Sequence, residues 1–446
     1  MPITRRGFVQ QSLTVAGCVV FTAWIEVDDV FAQNQCTLPN PGTAVPFVPN
    51  EPKVLKRYST LEMADSSKSG QLTVLRDAFC RLQKLPSTDV IGWDKQIAQH
   101  CINCAPPRGQ ANVHYYNAFV PWHRGMLYFL ERILRNLSGH DELRLVYWNW
   151  EDAGSRTVPA IYKPSGQCLY WANRHLGTLQ PSDVDVQPLL AIPDFLRFGG
   201  GPKFDQTGAV YGGPHAKVHN AFAPGDMADL QYSPRDPVFY AHHSNIDRLW
   251  TSWVKAGHAD PDFGTQKVYF YDENRKWRSV LFNDLKDESR LGYEYSSYIQ
   301  PKVNIQNLED FALQGNKTLF TMEADVASKI LKKHGGPRYL IITNIHNLDK
   351  LPAATGRYGI FAGEPGVTHL TAVAHNFLGD VADVRTGGKL EHPGPLTAAL
   401  DVSGKLISLL SGNKNRLNLT VAALGAGGKA TGPSIPLEAD SISIIE

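Results

Sequence analysis

Seven of the chain's 15 histidines fall in two short windows. The first window holds His100, His114 and His123, and the second holds His215, His219, His242 and His243. Neutral imidazole is the commonest ligand for borderline metals and suits copper, zinc, iron and nickel. His215 and His219 are four residues apart, so on a helix one stands above the other on the same face. His243 opens a helical stretch with Asp247 one turn later, where a carboxylate would hold a ligand imidazole in one tautomer and orientation. Each window offers at least three imidazoles and no acidic residue at ligand spacing. That pattern predicts an all-nitrogen, three-plus-three arrangement, with a redox metal bound twice and open positions left for a small ligand between the ions. Carboxylate-rich windows would have pointed to magnesium, calcium or di-iron chemistry.

Cys101-Ile102-Asn103-Cys104 lies inside the first window. No second CxxC exists, so a four-sulfur structural zinc site is not expected, and the βαβ setting of a redox dithiol is missing. Five cysteines follow the N-terminal segment: Cys36, Cys80, Cys101, Cys104 and Cys168. The number is odd, so at least one sulfur has a fate other than an intrachain disulfide.

The elements that must position these groups are legible in outline. Residues 34–60, rich in proline and polar groups, read as an extended arm. Arg124 to Leu137 carries apolar residues at helical spacing, and Ser244 to Val254 places Ile246, Leu249, Trp250 and Trp253 on one side. The stretch 154–213 reads as a loop-rich cap over the helices. After Ala256 the pattern changes: one strand-like run covers 268–271. From about 305 onward short β-type runs (339–342, 417–421, 442–445) alternate with Gly/Pro turns, which suggests a sandwich.

The chain has 446 residues, more than one typical domain. Its 44 basic and 43 acidic residues leave a net charge of +1, which provides no electrostatic footprint for nucleic acid. Thr4-Arg5-Arg6-Gly7-Phe8 fits a twin-arginine export signal. A mainly apolar stretch follows from Leu13 to Ile25, with a small-residue cleavage point at Ala32. Val15-Ala16-Gly17-Cys18 keeps a lipoprotein signal as the alternative. No other segment is long and apolar enough to span a bilayer.

Taken together, the motifs resemble those of the tyrosinases and polyphenol (catechol) oxidases, the type 3 copper proteins, in their plant-type domain order. The first window, His100 to Cys104, then His114 and Pro121-Trp122-His123-Arg124, is similar to the family's first copper motif. Pro214-His215-Ala216-Lys217-Val218-His219-Asn220 and the run from Asp236 to Trp250 are similar to the second. Asp260 to Phe263, Phe270 to Asn274 and Gly292-Tyr293-Glu294-Tyr295 resemble the short domain that closes the catalytic unit, with Arg57 as a partner for the tyrosine motif. Tyr358 to Gly363 resembles part of the C-terminal β-domain.

The resemblance implies a multi-domain fold: a mainly α catalytic core, with a four-helix bundle holding a dicopper site, followed by an all-β sandwich. Its divisions fall at 1–33 (signal), 34–257 (core), 258–304 (linking domain) and 305–446 (shielding domain). It implies two copper ions with O2 bridging them, the first on His100, His114 and His123 and the second on His215, His219 and His243. His242 is left a neighbouring, non-ligand role. Asp247 would support a ligand from behind, Phe239 would act as a gate above the second copper, and Asn220 would place an amide beside it. Cys104 would form a thioether to His114, leaving Cys36–Cys101 and Cys80–Cys168 as disulfides.

The implied activity is oxidation of o-diphenols to o-quinones by O2, latent while the β-domain covers the site. Monophenol hydroxylation is expected to be weak, because Tyr211 stands where the family's hydroxylating members carry a glutamate and Ala216 stands where an asparagine is associated with it. The alternatives are a tyrosinase with full monophenolase activity, a hemocyanin-like O2 carrier and a dinuclear zinc hydrolase. Expected partners are small phenols, O2 and the twin-arginine machinery of a bacterial host, with a copper chaperone and an activating protease as further candidates.

Overall fold

The computed structural model describes residues 36–38, 42–105, 112–316, 319–322, 330, 336–351, 354–386, 394–406 and 416–446. The signal-like segment 1–33 lies outside them. Five helices matter for the site: α1 (Ser69–Lys84), α2 (Trp93–Cys104), α3 (Phe119–Ser138), the short α4 (Ala216–Asn220) and α5 (Val238–Lys255). The long helices α1, α2, α3 and α5 pack into one bundle. Helix α3 tolerates Pro121 because that residue sits in the first turn, where its missing N–H has no intrahelical partner to lose. The helix ends at Gly139, whose φ of +73° suits a left-handed cap, with its amide on the Arg135 carbonyl.

Helix α5 begins six residues before the start expected from periodicity, so His242 and His243 lie within it. Asp236 caps the start by accepting the Val238 amide, and Pro237 precedes the first turn. Nearly every residue of this helix is buried, so no polar face exists for an amphipathic pattern to display.

A hairpin of β3 (Lys267–Tyr271) and β4 (Trp277–Leu281), joined by the short β1 (Val45–Pro46), lies against α3. The approach is close enough that a Cβ on Gly125 would stand 3.1 Å from the Phe270 ring. Strand β2 (Leu55–Arg57) pairs in parallel with β5 (Tyr293–Tyr295), bringing Arg57 to the expected tyrosine motif. There Arg57 stacks 3.5 Å over the Tyr293 ring and bonds Glu131 of α3 and Asp247 of α5. Asp247 also pairs with Arg124 and accepts from the hydroxyls of Tyr293 and Tyr295. One buried charge cluster therefore ties the N-terminal arm, both central helices and the linking segment together.

Beyond residue 305 the chain forms two sheets, as the turn-separated runs predicted. One has the order β12–β9–β15–β6 (Leu396–Asp401, Tyr339–Ile345, Ala439–Ile445, Asp310–Ala312). The other has the order β11–β10–β13–β8–β7 (Phe377–Ala382, Arg357–Ala362, Arg416–Leu424, Leu319–Thr321, Gln314–Asn316), with β14 (Ile435–Pro436) also on β13. Among the described residues no helix is long and apolar enough to cross a membrane.

Replacing Arg124 by Met leaves Asp247 buried with fewer counter-charges. It should lower stability by about 3 kcal/mol, because breaking a buried pair strands a charge. Denaturant unfolding with an unchanged midpoint would show that the cluster is not what holds the helices.

Candidate metal centre

Six histidines from six different backbone settings converge on one buried point. His100 comes from α2, His114 from the 3₁₀ turn Val113–Tyr115, His123 from α3, His215 from the π-turn Tyr211–His215, His219 from α4 and His243 from α5. The i, i+4 pair in the second window sits on helical backbone that runs from the π-turn straight into α4, although the turn is kinked at Gly213 just before the pair. The rings of His215 and His219 still meet, with centroids 4.6 Å apart.

The first three imidazoles are each held through Nδ1. His100 Nδ1–H faces the Leu230 carbonyl at 2.9 Å, and His123 Nδ1–H faces the Phe119 carbonyl at 2.7 Å. His114 Nδ1–H faces Asn112 Oδ1 at 2.9 Å, while the Asn112 amide nitrogen donates to the Cys104 carbonyl and so fixes which way the amide points. In the second window His219 Nδ1–H faces the Met227 carbonyl at 2.6 Å, and its Nε2 lies 3.3 Å from that of His243. A proton committed at Nδ1 leaves the Nε2 lone pair for a metal. His100 and His114 Nε2, and both nitrogens of His215, are buried with no hydrogen-bond partner. One nitrogen from each of His215, His219, His242 and His243 lies within 4.8 Å of the others, as do the donor atoms of His100, Cys104, His114 and His123.

The two clusters face each other. His123 and His243 stack with centroids 4.2 Å apart, and His114 and His215 lie at 5.2 Å. Burial holds every one of these imidazoles below the ordinary 6.5, with His123 at about 3 and His219 at about 4. Three neutral imidazoles in each group, with no carboxylate among them, fit copper in both positions.

Several expected surroundings are in place. Phe239 is fully buried, with its ring centroid 4.3 Å from His243 and 4.9 Å from His100. Tyr211 lies 5.2 Å from His215 and 5.3 Å from His114. The disulfides are Cys36–Cys101 and Cys80–Cys168, and Cys104 is a free buried thiol. Its Sγ lies 3.9 Å from His123 Nε2.

Asp247 corrects an expectation. It stands one turn beyond His243, yet its carboxylate is taken up by Arg57, Arg124 and the two tyrosines, and His243 Nδ1 has no partner. Two guanidiniums outcompete an imidazole for a buried carboxylate.

The resemblance implied a β-domain over the site, but the side chains that make the contact were not legible in the chain. The segment after β11 runs along the second cluster. Asp383 accepts the Tyr211 hydroxyl, its main-chain carbonyl accepts the Asn220 amide at 2.9 Å, and Ala382 and Val384 pack with Ala216 and Leu230. Gly212 permits this contact, since a Cβ there would meet Val381 at 2.6 Å. Lys217 reaches Asp380 at 2.9 Å, and Arg357 reaches Asp183 at 2.8 Å. Burial pushes Asp383 up to about 7. The contact is therefore favoured at acid pH and weakens as pH rises through that value. Asn112, two residues before a ligand, was findable as a local turn-former. Asp383, more than 160 residues from its partners, was not.

Residues 91–169 and 162–256 match the common central domain of tyrosinase, and residues 258–306 match the polyphenol oxidase middle domain. Aureusidin synthase of Antirrhinum majus is 27% identical over 320 residues, 60% of this chain and 57% of that one. A chloroplastic polyphenol oxidase of Vitis vinifera is 31% identical over 265 residues, 48% of this chain and 43% of that one. The chain thus spans about half the length of such relatives. The solved structure of latent apple tyrosinase shares the fold, with a TM-score of 0.66 at 18% identity over 90% of this chain and 100% of that one.

The imidazole values carry a pH signature. Each folded-state value lies below 6.5, so the unfolded chain binds more protons as pH falls, and stability falls with it. The thermal midpoint of the metal-free protein should drop progressively from about pH 6.5 toward pH 4. A flat profile across that window would contradict burial of neutral rings.

Proposed function

This chain belongs to the tyrosinase and polyphenol oxidase family in its plant-type domain order, and on that footing we propose that it is a copper-dependent oxidase converting o-diphenols to o-quinones with O2 as acceptor. The observation that carries the reading is the convergence of six neutral, buried imidazoles in two facing groups. His100, His114 and His123 would hold one copper, and His215, His219 and His243 the other. Copper, when bound, supplies the one-electron changes that pass two electrons from each diphenol to O2, which is reduced to water. The chain supplies the rest. Carbonyl contacts fix the imidazole tautomers, the dry pocket keeps the rings uncharged, and Phe239 offers an aromatic face beside His243 and His100 on which a phenol ring can rest.

Monophenol turnover needs a base to deprotonate the phenol. Tyr211, with its value raised by burial and its hydroxyl on Asp383, is a poor base, and Asn220 is engaged by the β-domain. The reading therefore favours diphenol oxidation. The contacts of Asp383, Val384 and Lys217 support latency, with 305–446 acting as the shield over a core at 34–257 and a linking domain at 258–304. A thioether between Cys104 and His114 remains part of the proposal: the sulfur–carbon bond would form as the thiol and ring C–H hydrogens are lost, with O2 taking the two electrons, and the intact mass would fall by two hydrogens. Twin-arginine export of the folded, metal-loaded chain rests on Arg5-Arg6 and the apolar stretch after it, whereas the plant relatives carry chloroplastic names.

Copper-loaded protein should oxidise catechol and barely hydroxylate tyramine. Reversible O2 binding without catechol oxidation would favour an O2 carrier instead. Limited proteolysis between about 296 and 315, or Asp383→Ala in the intact chain, should raise catechol turnover several-fold, and equal rates before and after would remove the shield. Tyr211→Glu should raise tyramine turnover relative to catechol.

A further inference from the structure

The second window contains one imidazole more than a three-nitrogen site uses. His242 is fully buried, and one of its nitrogens lies as close to those of His215 and His219 as a ligand would. Proximity therefore does not decide which of two adjoining histidines coordinates. A hydrogen bond does. Trp150 Nε1–H points at His242 Nδ1 from 3.1 Å. An indole N–H donates and never accepts, so Nδ1 must present its lone pair to it. A neutral imidazole carries a single N–H, which then resides on Nε2, and no lone pair is left for a metal.

The polarity is the reverse of that at His100, His114, His123 and His219, where Nδ1 faces an oxygen acceptor and Nε2 keeps the lone pair. His242 Nε2 has no hydrogen-bond partner, so the contact that sets the tautomer is the one at Nδ1. Trp150 is itself fully buried, so its N–H has no water to turn to and holds this contact.

We propose that Trp150 is a positioning residue that locks His242 in its Nε2–H form and so excludes it from coordination. The second metal is left with His215, His219 and His243 and an open position facing the first. A fourth imidazole would fill the position that a small ligand needs. The inference rests on the dicopper reading for its consequence, though the tautomer itself does not.

The test uses the full-length chain, freed of metal and reloaded with Co(II), whose visible absorption reports coordination number. Wild type and His242→Phe should each hold two ions per chain with the same bands. Trp150→Phe releases Nδ1 and lets His242 compete, so its bands should change and loss of the second ion to a chelator should slow roughly tenfold. A His242→Phe chain that loses an ion or alters its bands would overturn the proposal, as would a folded Trp150→Phe chain identical to wild type. Nitrogen–proton correlation spectra of histidine-labelled wild type decide the matter without a variant: a proton on Nε2 supports it and a proton on Nδ1 sinks it. If wild type binds fewer than two ions, the dinuclear reading fails, and the tautomer spectrum alone still judges this inference.

Discussion

The centre depends on imidazoles that stay neutral, and four of the six are aimed by a hydrogen bond at the nitrogen facing away from it. Burial keeps the rings uncharged, and an oxygen acceptor at Nδ1 decides that Nε2 carries the lone pair. Three of those acceptors lie within eight residues of their ring: Asn112 for His114, Phe119 for His123, and Met227 for His219. The acceptor for His100 does not. Leu230 belongs to the segment before α5, so the first cluster is complete only when the second window has folded against it. The two halves of the centre are thereby coupled before any metal arrives.

That coupling requires helices that do not slide. The charge cluster around Asp247 supplies the constraint, since Arg57, Arg124, Glu131 and the two tyrosines come to it from three other parts of the chain. Buried ion pairs contribute little net stability, but their geometry is demanding, and moving one partner strands the others. Such a cluster suits a framework whose purpose is alignment. Asp247 therefore acts on the framework and not on a ligand ring.

The β-domain meets the centre through the same short elements that carry His215 and His219 of the second group. Tyr211, Lys217 and Asn220 flank or interleave with His215 and His219, and each is engaged by the stretch 380–383. A contact there bears on substrate approach and on ligand placement together, which a lid resting on distant loops would not do.

The metal-binding residue types, their grouping into two windows, the helical core and the sheet-rich tail were all readable from the chain, because each is written in local spacing. With Cys104 set aside by the resemblance, the expected pairs Cys36–Cys101 and Cys80–Cys168 are the ones that form, although spacing alone left the pairing open. Three matters belonged to the tertiary structure. The start of α5 was hidden because a helix buried on all sides shows no amphipathic contrast. The true partners of Asp247 were hidden because Arg57 and Arg124 lie 190 and 123 residues away in the chain. The basis for separating His242 from His243, a distinction that only the family resemblance supplied, was hidden for the most physical reason of all. Adjoining residues of one type are equivalent on paper, and only a donor brought 92 positions through the fold makes one of them a lone-pair acceptor and leaves the other free to bind.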